Sequence, residues 1–281
     1  MATTEGYRPH FAMIRVDGNM VGMVQILTQG FMKGRVGAVI LDRGPLWLVP
    51  DPPQDWIYGF FEAFSRDFPR SWLGRRRIIP ECGPGVIPES DWTHLGFRPN
   101  PRLSPYQTIW IDLTLPPETI QARMTKSWRY DLRRGLLRSD LEITFSTTPQ
   151  GALPIILHAA VDQRARGYCG LSAGRLMKLI RFCAAGDGVV IARAKKGPDD
   201  VAGAIFLRHG LDATYQTGWV NDAGRDIAAN HVLLWRAIEH LAACGVRALD
   251  LGGVNDDDAR GVAHFKKGLG GTHVCFDHPY C

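Results

Sequence analysis

The stretch LDLGGVNDDDARGVAHFKKGLGG, near the end of the chain, gathers the residue types that could do chemistry. Asp250, Gly252 and Gly253 follow a predicted strand, where glycines let the backbone turn sharply or approach a ligand. Lys266 offers an ammonium group that could stabilise an oxyanion during acyl transfer, or could bind phosphate. On these residues alone, a simple turn and a surface lysine remain the alternatives.

The acidic run NDDD (255–258) predicts a solvated loop in preference to a metal site. Adjacent side chains diverge, and calcium loops need alternating ligands with a distal glutamate. The sequence also contains no HExxH, CxxC, Walker A or GxSxG pattern. We therefore expect neither a metal nor a resident cofactor.

The elements that must position these residues alternate between strands and helices in the second half of the chain. YQTIWIDL predicts a strand, and residues 116–139 predict one helix with an apolar residue at every fourth position. Three strands, an amphipathic helix over 227–245 and a further strand then follow. This β-β-β-α-β order is typical of a GNAT-like acyltransferase core.

The first half also alternates strands and helices, beginning with two strands around a turn at Asp17 and Gly18. We therefore predict an α/β (α+β) fold made of two GNAT-like acyltransferase domains in tandem. The N-terminal domain covers 1–105 and the C-terminal domain, with the catalytic cleft, covers 106–272. We leave open that the tail 273–281 packs back on the first domain.

In GNAT proteins, backbone amides before the long helix hold the pyrophosphate of coenzyme A. Here that segment, 221–226, has one glycine and one arginine, which is poorer than the usual glycine-rich loop. A coenzyme A site is therefore not assured by the sequence.

The net charge of +5 and the pI near 9.0 favour polyanionic partners weakly. The predicted helix over 116–139 carries a basic face that includes Lys126, Arg129, Arg133 and Arg134. A solvated face is the usual meaning of such a run, and contact with the phosphates of tRNA is the alternative.

The six scattered cysteines are typical of reduced thiols in a cytoplasmic protein. The N-terminal residues lack the apolar core of a signal peptide. No run of about 18 apolar residues predicts a membrane span. We therefore expect a cytoplasmic protein without stable membrane insertion.

The motifs of the second half occur in an order that resembles the Fem-type (FemAB/FemX-like) aminoacyltransferases, which build peptidoglycan interpeptide bridges. The matching segments are WIDLTLPPETIQARMTKSWRYDLRRG, AVDQRARGY, VAGAIFLRHGLDATYQTGW, AANHVLLWRAIEHLAACGVRALDLGGV and HFKKGLGG, together with LDRGPLW in the first half. The most specific are DLGGV with FKKG downstream. The resemblance covers about residues 10–272.

The resemblance implies transfer of an aminoacyl group from charged tRNA to an amine, without a metal. The amine would belong to a peptidoglycan precursor peptide, in cell wall synthesis, or to a smaller molecule. The family's Phe-Lys pair matches Phe265 and Lys266, which makes Lys266 the leading catalytic candidate. A tyrosine on the acceptor strand matches Tyr215. Asp250, Gly252 and Gly253 would form the floor of the cleft.

The acceptor-binding residues of the family match less well. Thr217 replaces a second tyrosine, and Arg164 or Arg166 would substitute for a substrate-binding arginine. The family's first several dozen residues lack a counterpart, so we expect a first domain shortened at its N-terminus. Two alternatives stay open: an N-acyltransferase that uses a coenzyme A thioester, and a non-catalytic protein that binds a peptide or nucleotide.

Overall fold

The computed structural model describes residues 6–30, 36–70, 74–166, 170–254 and 260–281. The chain divides into two compact units, one formed by residues 1–106 with 275–281 and the other by residues 107–274. The division predicted from the sequence lies between residues 105 and 106, one residue earlier.

The described part of the first unit contains a mixed sheet and two helices. Its elements are β1 (Tyr7–Val16), β2 (Asn19–Gly30), β3 (Val36–Gly44), β4 (Leu46–Trp47), α1 (Gln54–Asp67), β5 (Arg75–Pro80) and α2 (Glu89–His94). The sheet order is β1-β2-β3-β5, with β4 paired to β2. The predicted turn between β1 and β2 is confirmed: Asp17 and Gly18 both have positive φ, as two-residue hairpin turns require.

The C-terminal residues complete the core of this unit. Tyr280 stacks on the fully buried Trp92 with ring centroids 4.4 Å apart. The Trp92 indole donates a hydrogen bond to the buried Asp277 carboxylate over 3.0 Å. Tyr280 also pairs with Ile78 of β5 through backbone hydrogen bonds. The tail therefore belongs to the fold of the first unit.

The second unit is built on one long sheet in the order β12-β6-β11-β10-β9-β8-β7. Its strands are β6 (Gln107–Asp112), β7 (Leu141–Ser146), β8 (Val189–Lys196), β9 (Asp199–His209), β10 (Asp212–Val220), β11 (Ala248–Asp250) and β12 (Thr272–Cys275). Its helices are α3 (Pro117–Arg123), α4 (Lys126–Leu136), α5 (Leu153–Arg166), α6 (Ala173–Ala184), α7 (Asp222–Asp226), α8 (Ala229–Ala243) and α9 (Arg260–Gly268). The predicted alternation of strands and helices is confirmed.

The prediction of one continuous helix over 116–139 was wrong. The helix breaks between α3 and α4 because Met124 is extended and Thr125 caps α4, its hydroxyl accepting a hydrogen bond from the Trp128 amide. The Thr125 amide donates to the carbonyl of Gly268, so the end of α9 lies at this break. The apolar residues keep their fourfold spacing across it, which conceals the break in the sequence.

A bilayer-spanning helix would need a long apolar stretch. No helix among the described residues meets that requirement.

Candidate active site

Strands β10 and β11 separate in the middle of the second sheet. They pair in parallel through three residue pairs, which end at Thr214 and Asp250, while β10 continues to Val220. On its other side β11 remains paired with β6, and the Leu251 amide still donates to the Ile109 carbonyl. Beyond Thr214, β10 therefore has no pairing with β11, which opens the sheet at that point.

A β-bulge in β10 divides the two predicted acceptor-binding residues between opposite faces of the sheet. Tyr215 pairs with Phe206 and Thr217 with Ile205, so Gln216 is the extra residue. Paired residues share a face. Phe206 belongs to the core beneath α8, whereas Ile205 belongs to the core beneath α5 and α6. The structure therefore brings Tyr215, but not Thr217, to the lysine described next.

Lys266 lies on α9 with its side chain buried at this opening; only 8% of the residue is exposed. Its Nζ donates a hydrogen bond to the Gly253 carbonyl over 2.9 Å. The same atom lies 5.4 Å from the centre of the Tyr215 ring, within range of a cation–π interaction. The structure thus brings two other predicted residues, Gly253 and Tyr215, to the amine of Lys266.

Burial lowers the pKa of Lys266 to about 8, from an ordinary value of 10.5, because the ammonium form loses its hydration. The negative charge of Asp250 partly opposes this shift. Near neutral pH the amine is therefore mostly protonated but close to its titration point. Such a group can act as a hydrogen-bond donor to a developing oxyanion, or can exchange a proton.

Asp250 is almost fully buried and holds the turn that follows β11. Its carboxylate accepts hydrogen bonds from the Gly252 amide, over 2.8 Å, and from the Thr108 hydroxyl. Gly252 has a positive φ of 70°, which favours glycine. This turn presents the Gly253 carbonyl to Lys266. Thr108 was not predicted as a site residue, because one threonine within the strand YQTIWIDL is a weak signal in the sequence.

Phe265, the residue before Lys266, packs α9 against α4 and α8. Its ring lies 5.7 Å from that of Trp128 and 5.0 Å from that of His231, measured between centroids. The Trp128 indole donates a hydrogen bond to the Phe265 carbonyl over 3.1 Å. Burial lowers the pKa of His231, although Asp131 opposes the shift, so this imidazole is held neutral. Phe265 thus fixes the helix that carries Lys266.

The predicted tRNA-binding side chains divide into two groups. Arg129 donates hydrogen bonds to the carbonyls of Ala122 and Met124, at the end of α3. Arg134 donates to the Asp226 carbonyl and forms an ion pair with Asp131.

The second group consists of Lys126 and Arg133. Both are exposed, and neither forms a salt bridge with any residue that the structure describes. They are therefore the members of the predicted set available to a phosphate.

The remaining predicted positions are not brought to Lys266 by any contact in the described chain. Arg164 is exposed near the end of α5. The Arg166 side chain and the NDDD run at 255–258 lie outside the described residues. Across the described ranges, no group of three or more His, Cys, Asp or Glu side chains is arranged to hold a metal ion.

The segment before α8 folds as the short helix α7 and does not form an open loop. Asn221 caps α7 by accepting a hydrogen bond from the Gly224 amide over 2.8 Å. A side chain at Gly224 would overlap the Val201 carbonyl at 2.4 Å, so this glycine serves packing against β9.

The start of α8 packs against α4. Ala228 and Ala229 are 2% and 0% exposed. Gly135 of α4 lies so close that a Cβ there would be 3.3 Å from the Ile227 and Ala228 carbonyl oxygens. The two helices therefore meet backbone to backbone where a GNAT protein would hold pyrophosphate.

The acetyltransferase (GNAT) domain family model matches residues 122–267 of this chain. The structure of FemX is similar, with a TM-score of 0.76 and 13% sequence identity, over 99% of this chain and 88% of that one. No curated protein matches the sequence.

Two further solved structures share the fold. The C-terminal domain (DUF2156) of a protein assigned as a lysylphosphatidylglycerol synthetase, from Agrobacterium fabrum, has a TM-score of 0.56 and 16% identity, over 99% of this chain and 85% of that one. A tandem GNAT protein from the clavulanic acid biosynthesis pathway has a TM-score of 0.52 and 13% identity, over 98% and 82%. The predicted tandem GNAT architecture and the resemblance to the Fem-type fold are confirmed.

Proposed function

This chain belongs to the acetyltransferase (GNAT) domain family, and on that premise we propose that it transfers an aminoacyl group from a charged tRNA to an amine. The product is an amide on a peptidoglycan precursor peptide or on a smaller amine or peptide. The observation that carries the proposal is the buried Lys266 amine beside Tyr215, at the point where β10 and β11 part. The fold shared with FemX and the DLGGV and FKKG motifs support the aminoacyl donor.

In the proposed reaction the acceptor nitrogen attacks the ester carbonyl of the aminoacyl-tRNA. A C–N bond forms, the bond from the carbonyl carbon to the ribose oxygen breaks, and the proton lost by the amine ends on that ribose hydroxyl. Negative charge develops on the carbonyl oxygen in between. The Lys266 ammonium stabilises this charge, because a buried donor acts more strongly there than in water. Tyr215, beside Lys266, contacts the acceptor.

The burial of the α8 start supports a tRNA donor over coenzyme A. A pyrophosphate group needs exposed amides at a helix start, and here that start packs against Gly135. The competing candidate is an N-acyltransferase that uses an acyl-coenzyme A, favoured by the description of the matching family. Saturable binding of coenzyme A to the purified chain would support this candidate.

The experiment that tests the proposal compares the two donors directly. The purified chain is incubated with cell-extract metabolites and a pool of radiolabelled aminoacyl-tRNAs, and in parallel with labelled acyl-coenzyme A compounds. We expect label to move from tRNA into a new amide, and this transfer to be lost in Lys266→Met. Turnover of an acyl-coenzyme A without transfer from tRNA would overturn the donor, whereas turnover of neither would favour a binding protein.

The exposed basic residues of α4 give a prediction about the salt dependence of tRNA binding. Each phosphate contact contributes a slope of about −0.9 to the dependence of log K on log salt. We expect the double variant Lys126→Gln/Arg133→Gln to reduce the slope by about 2, measured by filter binding. The matched double variant Lys178→Gln/Arg181→Gln, on the exposed face of α6, should keep the wild-type slope. An equal reduction in both would contradict a site on α4.

A further inference from the structure

A cavity of about 920 Å³ in the first unit is lined by arginines. Among the described residues that line it, none is an aspartate or glutamate and five are arginines: Arg70, Arg75, Arg76, Arg77 and Arg102. None of these residues takes part in the function proposed above, whose residues belong to the second unit.

Strand β5 gives the cavity a regular arrangement of cations over an apolar floor. Arg75 and Arg77 are two residues apart on β5, so they project on the same face of the sheet. Their partners on β3 are Ala38 and Ile40, which also line the cavity. Arg77 is neutralised by a two-pronged ion pair with Asp42. The exposed positive charge of the cavity therefore comes from Arg70, Arg75 and Arg102.

Three of these arginines have no acidic partner. Arg70, Arg75 and Arg102 are exposed, and among the described residues no carboxylate forms a salt bridge with any of them. Arginines that line one cavity repel each other, and the negative charge of Cys281 and the ion pair of Arg77 with Asp42 offset only part of that repulsion. Such an arrangement favours an anion in the cavity.

Arg76 also lines the cavity, but its side chain projects on the opposite face of the sheet from Arg75 and Arg77, into the core of the unit. It is 8% exposed, and its guanidinium stacks over the Phe97 ring at 4.3 Å and donates hydrogen bonds to the carbonyls of Phe68 and Gly96. Its Nε is buried and has no hydrogen-bond partner among the residues that the structure describes. Burial lowers the pKa of Arg76, and the charge of Arg70 lowers it further. Arg76 therefore serves the core of the unit, and the exposed guanidinium groups that remain for an anion are those of Arg70, Arg75 and Arg102.

We propose that this cavity binds a small ligand that carries two or more adjacent phosphate groups. Each guanidinium group can form two parallel hydrogen bonds to phosphate oxygens, and linked phosphates offer several arginines more oxygens and more charge than a single carboxylate does. The volume is within the range of small-molecule sites, and the apolar floor of Ala38 and Ile40 suits the uncharged part of such a ligand. The proposal does not depend on the donor or the reaction proposed for Lys266.

The test measures binding of inorganic pyrophosphate to the full-length chain by titration calorimetry. We expect one site, with inorganic phosphate binding at least tenfold more weakly. The double variant Arg75→Gln/Arg102→Gln should bind pyrophosphate about 100-fold more weakly, because each charge-assisted contact is worth about tenfold. Both side chains are exposed and unpaired, so we expect this variant to fold normally.

The matched control is Arg15→Gln/Arg66→Gln, which removes two exposed arginines of the same unit outside the cavity. It should bind pyrophosphate within twofold of the wild-type chain. Equal weakening in both variants, or no binding below about 1 mM in the wild-type chain, would overturn the proposal. A duplex RNA that binds through Arg75 and Arg102 while pyrophosphate does not would overturn it as well, since the ligand would then be a nucleic acid.

Discussion

Replacing Lys266 with methionine should lower the rate of transfer about 10²- to 10³-fold and make the chain more stable. The rate falls because the site loses a buried cation that can meet the developing oxyanion. Stability rises because a lysine whose pKa falls from 10.5 to about 8 on folding opposes folding by about 3 kcal/mol at neutral pH. The variant also removes the hydrogen bond to the Gly253 carbonyl, and this loss cancels about 1 kcal/mol of the gain in folding stability. Urea unfolding should therefore show a net gain of about 2 kcal/mol.

The pH dependence of this gain follows from the direction of the pKa shift. The lysine is protonated in both folded and unfolded chains below about pH 8, so the full penalty is present there. Between about pH 8 and 10.5 only the unfolded chain keeps the proton, and the penalty disappears as the pH rises. The gain in the free energy of unfolding of Lys266→Met over wild type should therefore shrink as the pH rises above about 8.

The neighbouring Lys267 provides a matched control for this prediction. It is exposed in the same helix, so Lys267→Met should leave the transfer rate unchanged and shift stability by less than about 0.5 kcal/mol. A Lys266→Met variant that loses stability while transferring at the normal rate would identify Lys266 as a structural residue.

Replacing Gly270 with alanine should destabilise the chain by about 3 kcal/mol or more. Gly270 has a φ of 79°, and a Cβ there would be 1.9 Å from the Arg123 carbonyl oxygen. The left-handed conformation costs an alanine about 1 kcal/mol, and the backbone of α3 would have to move to remove the overlap. Because Gly270 follows α9, the displacement should also lower transfer by Lys266.

The control is Gly261→Ala, in the first turn of α9. A Cβ at Gly261 meets no atom within 4 Å, and alanine favours the helix, so this variant should be about 0.5 kcal/mol more stable than wild type. The measurement is chemical unfolding of both variants. If Gly270→Ala unfolds at the wild-type denaturant concentration, the account of how α9 is held at the α3–α4 break is wrong.

The fold and the centre of the site were predictable because their signals are local or carried by motifs. Strands and helices follow from apolar periodicity, and the parallel strand after the long helix follows from the β-β-β-α-β order. The turn after Asp250 and the lysine of FKKG were recognised together by resemblance. Their contact, from Lys266 to the Gly253 carbonyl, then follows from the fold.

Other features depend on tertiary contacts that leave no mark in the sequence. The bulge at Gln216 moves Thr217 to the opposite face, and neither glycine nor proline occupies that position. The break between α3 and α4 is hidden because Ile120, Met124 and Trp128 are all buried at helical spacing. In the sequence, Arg129 and Arg134 cannot be distinguished from the exposed Lys126 and Arg133. Only the backbone carbonyls that accept their hydrogen bonds show that Arg129 and Arg134 serve the fold.

The central claim is that the ammonium form of Lys266 acts on the carbonyl being transferred. The most direct test follows single-turnover release of the aminoacyl group from tRNA to hydroxylamine between about pH 6.5 and 9.5, spanning the pKa of about 8. Dividing the wild-type rate by the Lys266→Met rate at each pH cancels the pH dependence that comes from the substrates. We predict a constant ratio below about pH 8 that falls about tenfold for each pH unit above it. A ratio that rises through about pH 8 would make Lys266 a base and contradict the account.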